Sequence, residues 1–128
     1  MREILFRGKR IDSGEWEYGG CVFTENKVCL IYNQTHSIDL QGCTVEENSV
    51  GQYTGLTDKN GKKIFEGDIC RMKADRLKGY GAIIFMGSAF VLCDKTHKQT
   101  RYYPLYPDGQ FTVVGDIHDN PELLEVKE

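Results

Sequence analysis

The sequence predicts an all-β (mainly β) protein, arranged as a two-sheet sandwich with SH3-like barrel elements and a short C-terminal helical turn. Three observations support this class. The chain has 14 glycines and 7 tyrosines. Its apolar segments are short and rich in Val, Ile, Phe and Tyr, and Gly, Asn or Asp residues bound them. About eight to ten such segments recur with turn signals between them, which indicates a sandwich or small barrel. With 128 residues, the chain is expected to form a single domain, 1–128.

In the first half of the chain, the apolar segments predict three strands, at residues 3–6, 15–23 and 27–32. The polar link at 24–27 joins the last two as a hairpin. Trp16 and Tyr18 alternate with glutamates, so they share one face and are expected in the core or in sheet packing. Residues 37–40 can form a short strand, and residues 44–48 either a helical turn or a loop.

Residues 51–72, GQYTGLTDKNGKKIFEGDICRM, give the clearest pattern. The DKNG sequence at 58–61 predicts a tight turn, because Gly61 adopts positive φ at little cost. The EGD sequence at 66–68 turns the chain into the next strand. Its two carboxylates could act as an acid–base pair, but Asp68 is more simply a turn residue that accepts backbone hydrogen bonds.

The remaining segments predict strands at 79–86, 88–95, 100–106 and 111–117. A hairpin is expected at 86–88, a turn at 107–110, and an edge strand or a break at Pro104. Asn120 as cap and Pro121 as first helical residue predict a helical turn at 120–124. This order of strands and turns resembles an SH3-like barrel over roughly 62–118.

Composition limits the function. The net charge of −3 disfavours a broad, sequence-independent grip on phosphate backbones, although it allows a local basic patch. The five cysteines lack zinc-site spacing and are expected to be reduced and mostly buried. The charged N-terminus and the absence of a long apolar run favour the cytoplasm and no membrane partner.

Asp116 and His118, in the sequence VVGDIHDNPEL, raise the question of a metal-dependent phosphoesterase. Two residues apart on a strand, they would point to one face, as metal ligands do. No second histidine follows them, however, so Asp116 is expected to be a turn residue at a strand end, with Asp119 and Asn120 capping the next turn. Neither a nucleophile elbow nor a phosphate-binding loop is recognisable. No catalytic residue, metal site or cofactor is therefore predicted.

The segment KTHKQTRYYPLY, residues 95–106, is the main surface candidate. Its basic and aromatic side chains suit a protein contact, or the stacking and phosphate contacts of nucleic-acid binding. The alternative is an ordinary edge strand with half-buried tyrosines. The candidate binding residues are Lys98, Arg101, Tyr102, Tyr103 and Tyr106.

Three segments, REILFRGKR, VGQYTGLTDKNGKKIFEGDIC and VVGDIHDNPELL, occur in this order and together resemble the YopX family of small phage and prophage proteins. The resemblance covers nearly the whole chain, with a looser fit at 33–48 and 73–109. It implies a mainly β fold and a bacterial host cytoplasm, and it implies no catalytic residue or cofactor.

The favoured hypothesis is a non-enzymatic binding or regulatory module that acts on a host or phage protein. The same hypothesis includes a homo-oligomeric form of this module. A nucleic-acid-binding β-barrel module is the second hypothesis, and the phosphoesterase is the third.

Overall fold

A computed structural model describes residues 2–25, 29–33, 41–74, 76–105 and 110–125. In these ranges the secondary structure consists of antiparallel strands and two short 3₁₀ turns. Two antiparallel sheets contain the strands, so the predicted mainly β, two-sheet class is confirmed. No helix in the described ranges is long or apolar enough to cross a membrane.

The chain divides into two compact units, Met1–Tyr53 and Thr54–Glu128. The strands of the first unit are β1 Phe6–Lys9, β2 Trp16–Phe23, β3 Cys29–Asn33, β4 Gln41–Val45 and the start of β5 Gly51–Thr57. The strands of the second unit are the end of β5, β6 Lys63–Phe65, β7 Asp68–Ala74, β8 Leu77–Met86, β9 Ala89–Asp94, β10 Arg101–Pro104 and β11 Phe111–Asp116. The 3₁₀ turns are Glu47–Ser49 and Pro121–Leu124.

In the first unit the strand order is β4-β3-β2-β1-β5. The β2–β3 hairpin forms as predicted. Ile31 and Val45 are buried, and Phe6, Cys21, Cys43 and Val50 pack against them. Val45 packs so closely that a side chain at Gly8 would meet its Cγ2 atom at 2.8 Å. The backbone of β1 can therefore approach the core because residue 8 is glycine.

The first strand begins later than predicted. The sequence placed it at residues 3–6, whereas β1 runs Phe6–Lys9. Strand partners decide this: Phe6 pairs with Gly19 of β2 and with Gln52 of β5. The apolar side chain of Ile4 is 63% exposed, so the apolar character of this residue does not reflect burial, whereas Phe6 packs against the hydrophobic cluster.

Of the two positions expected for Trp16 and Tyr18, core or sheet packing, the structure excludes the core. Tyr18 is 43% exposed, and Trp16 is half-buried beneath two cations. The guanidinium carbon of Arg7 lies 4.2 Å from the Trp16 ring centroid, and Lys9 Nζ lies 4.7 Å from it. The indole therefore makes cation–π contacts with the buried Arg7 and the half-buried Lys9 and is not part of the hydrophobic cluster.

In the second unit the five-stranded sheet has the order β10-β9-β8-β7-β11. It is an open sheet in the described residues, so the SH3-like elements do not extend to barrel closure. The core consists of buried side chains from β6 to β11: Ile64, Cys70, Met72, Ile83, Leu92, Tyr103 and Phe111. Phe111, Ile64, Ile83 and Leu92 are 0% exposed.

The turns of the second unit match the sequence prediction closely. Gly61, Gly67 and Gly87 all adopt positive φ, at 84°, 93° and 66°. They lie in the DKNG turn, the EGD turn and the β8–β9 hairpin, where residues with side chains are rarely accommodated. The turn predicted at 107–110 and the strand predicted at 37–40 lie outside the described residues, apart from Gln110. The predicted loop or helical turn at 44–48 becomes the end of β4 followed by a 3₁₀ turn.

Candidate functional site

The predicted binding segment forms the bend after β9 and the strand β10, which lies at one edge of the five-stranded sheet. Lys98 and Arg101 are exposed, and Tyr102 is 49% exposed. Tyr103 is 8% exposed and belongs to the core. Because neighbouring strand residues face opposite ways, Tyr103 is removed from the set of candidate surface residues, and Tyr102 stays. Tyr106 lies outside the described residues.

Asp116 has the turn role that the sequence predicts. Its Oδ1 accepts hydrogen bonds from the backbone N–H groups of His118, at 2.9 Å, and Asp119, at 2.8 Å. In the described part of the chain, no three His, Cys, Asp or Glu side chains are grouped to bind one metal ion. The Asp116 carboxylate is thus occupied in closing the turn after β11.

Asn120 does not cap the following 3₁₀ turn with its side chain. Its Oδ1 instead accepts a hydrogen bond from the backbone N–H of Asp116, at 3.2 Å. Asn120 therefore ties the turn back to the end of β11, which corrects the predicted capping role. Pro121 does occupy the start of the turn.

The EGD turn is also structural. Asp68 is 1% exposed, and its Oδ2 accepts a hydrogen bond from the Phe65 backbone N–H at 2.7 Å. Gly67 donates its N–H to the carbonyl of Ile83 and accepts from Ile117 N–H, at 2.8 and 2.9 Å. This buried carboxylate holds the β6–β7 corner in place.

A cavity of about 390 Å³ lies between β7, β8 and the bend after β9. Arg71 and Lys73 of β7, and Lys78 of β8, line it with Tyr80, Asp94, Thr96 and His97. We call it the cationic pocket. In the register of the sheet, Arg71 is opposite Tyr80, and Lys73 is opposite Lys78. Arg71, Lys73 and Lys78 are exposed, and none forms an ion pair with a described carboxylate.

Asp94, 1% exposed, is the acidic residue of the pocket lining. Its Oδ1 accepts hydrogen bonds from Thr96 N at 2.9 Å and Thr96 Oγ1 at 2.5 Å, and its Oδ2 accepts one from Tyr80 N at 3.1 Å. Burial alone would raise the pKa of Asp94, but these hydrogen bonds and the neighbouring His97 lower it. The carboxylate therefore stays ionised and orders the bend that forms one wall.

Three more exposed cations are neighbours, in the chain or in the strand register, of residues that line this pocket. Lys95 lines a smaller adjoining cavity of about 170 Å³, which shares Tyr80 and Thr96 with the larger one. Lys98 follows His97 directly in the chain. Arg101 of β10 is opposite Asp94 of β9 in the strand register, without an ion pair between them. We call Lys95, Lys98 and Arg101 the cationic rim, and the pocket with its rim the cationic face.

The family model described as YopX protein matches residues 5–125 of the sequence. The chain belongs to the YopX family. Among solved structures, this YopX chain is similar to protein EF1440 from Enterococcus faecalis, at 25% sequence identity and a TM-score of 0.58. The match covers 98% of this chain and 100% of that one. No curated protein matches the sequence.

Thr96 and His97 of the predicted segment 95–106 line this pocket of the YopX chain, and the predicted residues Lys98 and Arg101 follow in the same segment, but the sequence analysis missed the pocket cations Arg71, Lys73 and Lys78. The sequence prediction places Arg71 in a strand without a role and leaves Lys73 and Lys78 outside the predicted strands, whereas the structure has Lys73 in β7 and Lys78 in β8. A charge count by segment would have singled them out, because residues 71–101 have a net charge of +5 and the rest of the chain has −8. The whole-chain charge of −3 conceals this separation.

Proposed function

We propose that this YopX chain is a non-enzymatic binding module of phage or prophage origin that binds an acidic protein partner through its cationic face. The proposed setting is the cytoplasm of a bacterial cell. Membership of the YopX family supports the origin, and the bacterial source of the similar solved structure is consistent with it.

The observation that carries the proposal is the set of six exposed cations on the cationic face, none of which pairs with a described carboxylate. Unpaired surface charges of one sign attract a partner of the opposite sign and speed its association. The carboxylate of Asp94 offsets one of these charges, but its oxygens are taken by backbone and hydroxyl donors of the same unit.

A protein partner is favoured over nucleic acid by the side chains in the same unit. Phe85 is 53% exposed, Met86 42% and Tyr102 49%. Aromatic residues, Met and Arg are the types enriched at protein interfaces. A long nucleic acid gains its affinity by neutralising many phosphates along a track, and the charge of −8 on the rest of the chain opposes such extended binding.

Charge reversal on the rim tests the proposal. The double variant K98E/R101E is expected to bind an acidic polyglutamate peptide at least about tenfold more weakly than the wild type, because two attractive contacts become repulsive. Fluorescence anisotropy at two salt concentrations measures the loss. The matched control R2E/K59E changes the net charge equally at two exposed positions outside the cationic face and is expected to keep wild-type affinity.

Two outcomes would contradict this function. If both double variants bind the peptide as the wild type does, the rim plays no part in binding. If the wild type binds a single-stranded or duplex oligonucleotide with a strong salt dependence and does not bind the peptide, the nucleic-acid hypothesis replaces the protein one.

A further inference from the structure

Two lysines face each other directly across the β7–β8 hairpin. Lys73 and Lys78 are register partners in an antiparallel pair, and both are exposed. Like charges at such positions destabilise a sheet. Arg71 lies two residues before Lys73 and therefore on the same face of β7. The free protein thus maintains a repulsive group of three cations with no described carboxylate paired to it.

The cationic pocket gathers these charges around one volume. Arg71, Lys73 and Lys78 contribute three positive charges to its lining, and Asp94 contributes one negative charge. Counting the Arg, Lys and Asp side chains alone, the lining has an excess of two positive charges. The lowered pKa of Asp94 keeps its negative charge in place near neutral pH, so this excess persists there.

We propose that the cationic pocket binds a phosphate monoester whose phosphate group bridges Lys73, Lys78 and Arg71. Such a group has a charge of about −1.5 to −2 at pH 7 and three strong acceptor oxygens, which matches the excess charge of the lining. Arg offers a planar pair of donors to phosphate, and Lys offers a compact positive charge. A single carboxylate would neutralise one cation and leave two in repulsion.

The size of the pocket indicates that the phosphate is attached to an organic group. A volume of about 390 Å³ falls in the range of about 300–1,000 Å³ typical of small-molecule sites, well above what a phosphate alone would fill. Tyr80 lines the pocket beside the cations and offers an aromatic wall to that group. A nucleoside monophosphate and a phosphorylated side chain of a protein share this chemistry.

This inference rests on the proposed function, because it assumes that the cationic face binds anionic partners. Isothermal titration of the full chain at constant ionic strength tests it with adenosine monophosphate, a phosphoserine peptide and inorganic phosphate. Adenosine and the unphosphorylated peptide are the matched controls. We expect one-to-one binding of a phosphorylated compound and none of its control. The better ligand of the two identifies the source of the phosphate.

The variant K78E separates this role from a structural one. It places a carboxylate opposite Lys73, so we expect the midpoint of urea unfolding to rise in the absence of ligand. Phosphate affinity is expected to fall at least tenfold in the same variant. K59E, at an exposed residue outside the pocket, is the control and should leave both measurements unchanged.

Equal binding of the phosphorylated compounds to wild type and K78E would overturn the proposal, as would their failure to bind wild type. Displacement by sulfate at equal concentration would show an adventitious ion only. If these compounds fail and the polyglutamate peptide still binds in a rim-dependent way, the phosphate inference alone is wrong. If adenosine monophosphate binds and neither the phosphoserine peptide nor the polyglutamate peptide does, the proposed protein-binding function is wrong.

Discussion

Four buried aspartates of the second unit use their carboxylates as acceptors for backbone N–H groups: Asp58, Asp68, Asp94 and Asp116. A buried carboxylate is costly unless hydrogen bonds compensate for lost hydration. Asp58 Oδ1 accepts from Asn60 N and Lys62 N, at 2.8 and 2.9 Å. Its Oδ2 accepts from Val113 N at 3.0 Å, which joins the DKNG turn to β11.

We predict that Asp58→Asn lowers the free energy of unfolding by about 1–3 kcal/mol at pH 7, because an amide cannot accept from all three donors. Burial would raise the pKa of Asp58, but hydrogen bonds from Val113, Lys62 and Asn60 lower it. Its contribution to stability is therefore complete above the unfolded pKa, about 3.9, and is lost as pH falls through the folded pKa.

Urea unfolding at pH 7, 5 and 3 measures both effects. The variant should lose less stability on acidification than the wild type, although Asp94, whose pKa is also lowered, keeps part of the dependence. The exposed Glu125→Gln is the control and should change stability by less than about 0.5 kcal/mol. A variant with the wild-type pH profile would show that the Asp58 carboxylate is not the linked group.

At the scale of elements, a turn decides which side chains of the sheet are covered. The C-terminal 3₁₀ turn, Pro121–Leu124, places Leu124 on the smaller cavity of about 170 Å³ beside Ala82, Ile84 and Cys93. Its neighbour Leu123 instead approaches Gly115, where an added Cβ would meet the Leu123 Cδ1 atom at 2.9 Å. Adjacent leucines of one turn therefore cover different parts of the second unit.

We predict that Leu124→Ala increases the rate at which a thiol reagent modifies Cys93 at least several-fold. Cys93 is 7% exposed and lines the cavity that Leu124 covers. The loss of stability should be about 1 kcal/mol, less than the 2–5 kcal/mol typical of a fully buried leucine, because Leu124 is half-buried.

Peptide mapping by mass spectrometry distinguishes Cys93 from the other thiols. Leu123→Ala is the matched control: it should cost similar stability without exposing Cys93. Equal acceleration in both variants would mean that general loosening, and not the removal of Leu124, exposes the thiol.

At the scale of the whole molecule, each unit has its own hydrophobic cluster. The cluster of the second unit has seven buried side chains from six strands. In the described part of the first unit, the cluster has two buried side chains, Ile31 and Val45, with partly buried residues around them. The single-domain organisation that the sequence predicts stays a prediction, and the sizes of the clusters suggest how to test it.

We predict that a fragment of residues 54–128 folds cooperatively by itself, because its core is made from its own strands. Circular dichroism during urea titration should show one sigmoidal transition, and substitution of Leu92 by Ala in the fragment should lower its midpoint. Leu92 is 0% exposed, whereas the exposed Leu77→Ala serves as a control with little expected effect. A non-cooperative fragment would show that its core needs residues 1–53.

Local chemistry explains why much of the fold was predictable. Gly61, Gly67 and Gly87 mark turns because positive φ is a property of the single residue. The positions of β7, β8 and β9 follow from short apolar runs between such turns, although β7 ends two residues later and β8 begins two residues earlier than the apolar runs predict. The position of β1 was not predictable in this way, because its partners in β2 and β5 fix it.

The residues of the candidate site also fall into those that the sequence could identify and those that only the structure could identify. Lys98 and Arg101 were recognisable because basic and aromatic residues lie together in one segment. Tyr102 and Tyr103 were indistinguishable until the face of β10 was known, since one residue of shift in register exchanges surface and core.

The sequence by itself determined the mainly β class, the YopX family and the principal turns, because these depend on composition, motif and single-residue conformation. The tertiary structure alone decided that Lys73 faces Lys78 and that Asp94 and the bend after β9 enclose a pocket beside them. Strand pairing is the physical reason. It brings together residues whose proximity depends on hydrogen-bond register, and register is a property of two strands at once.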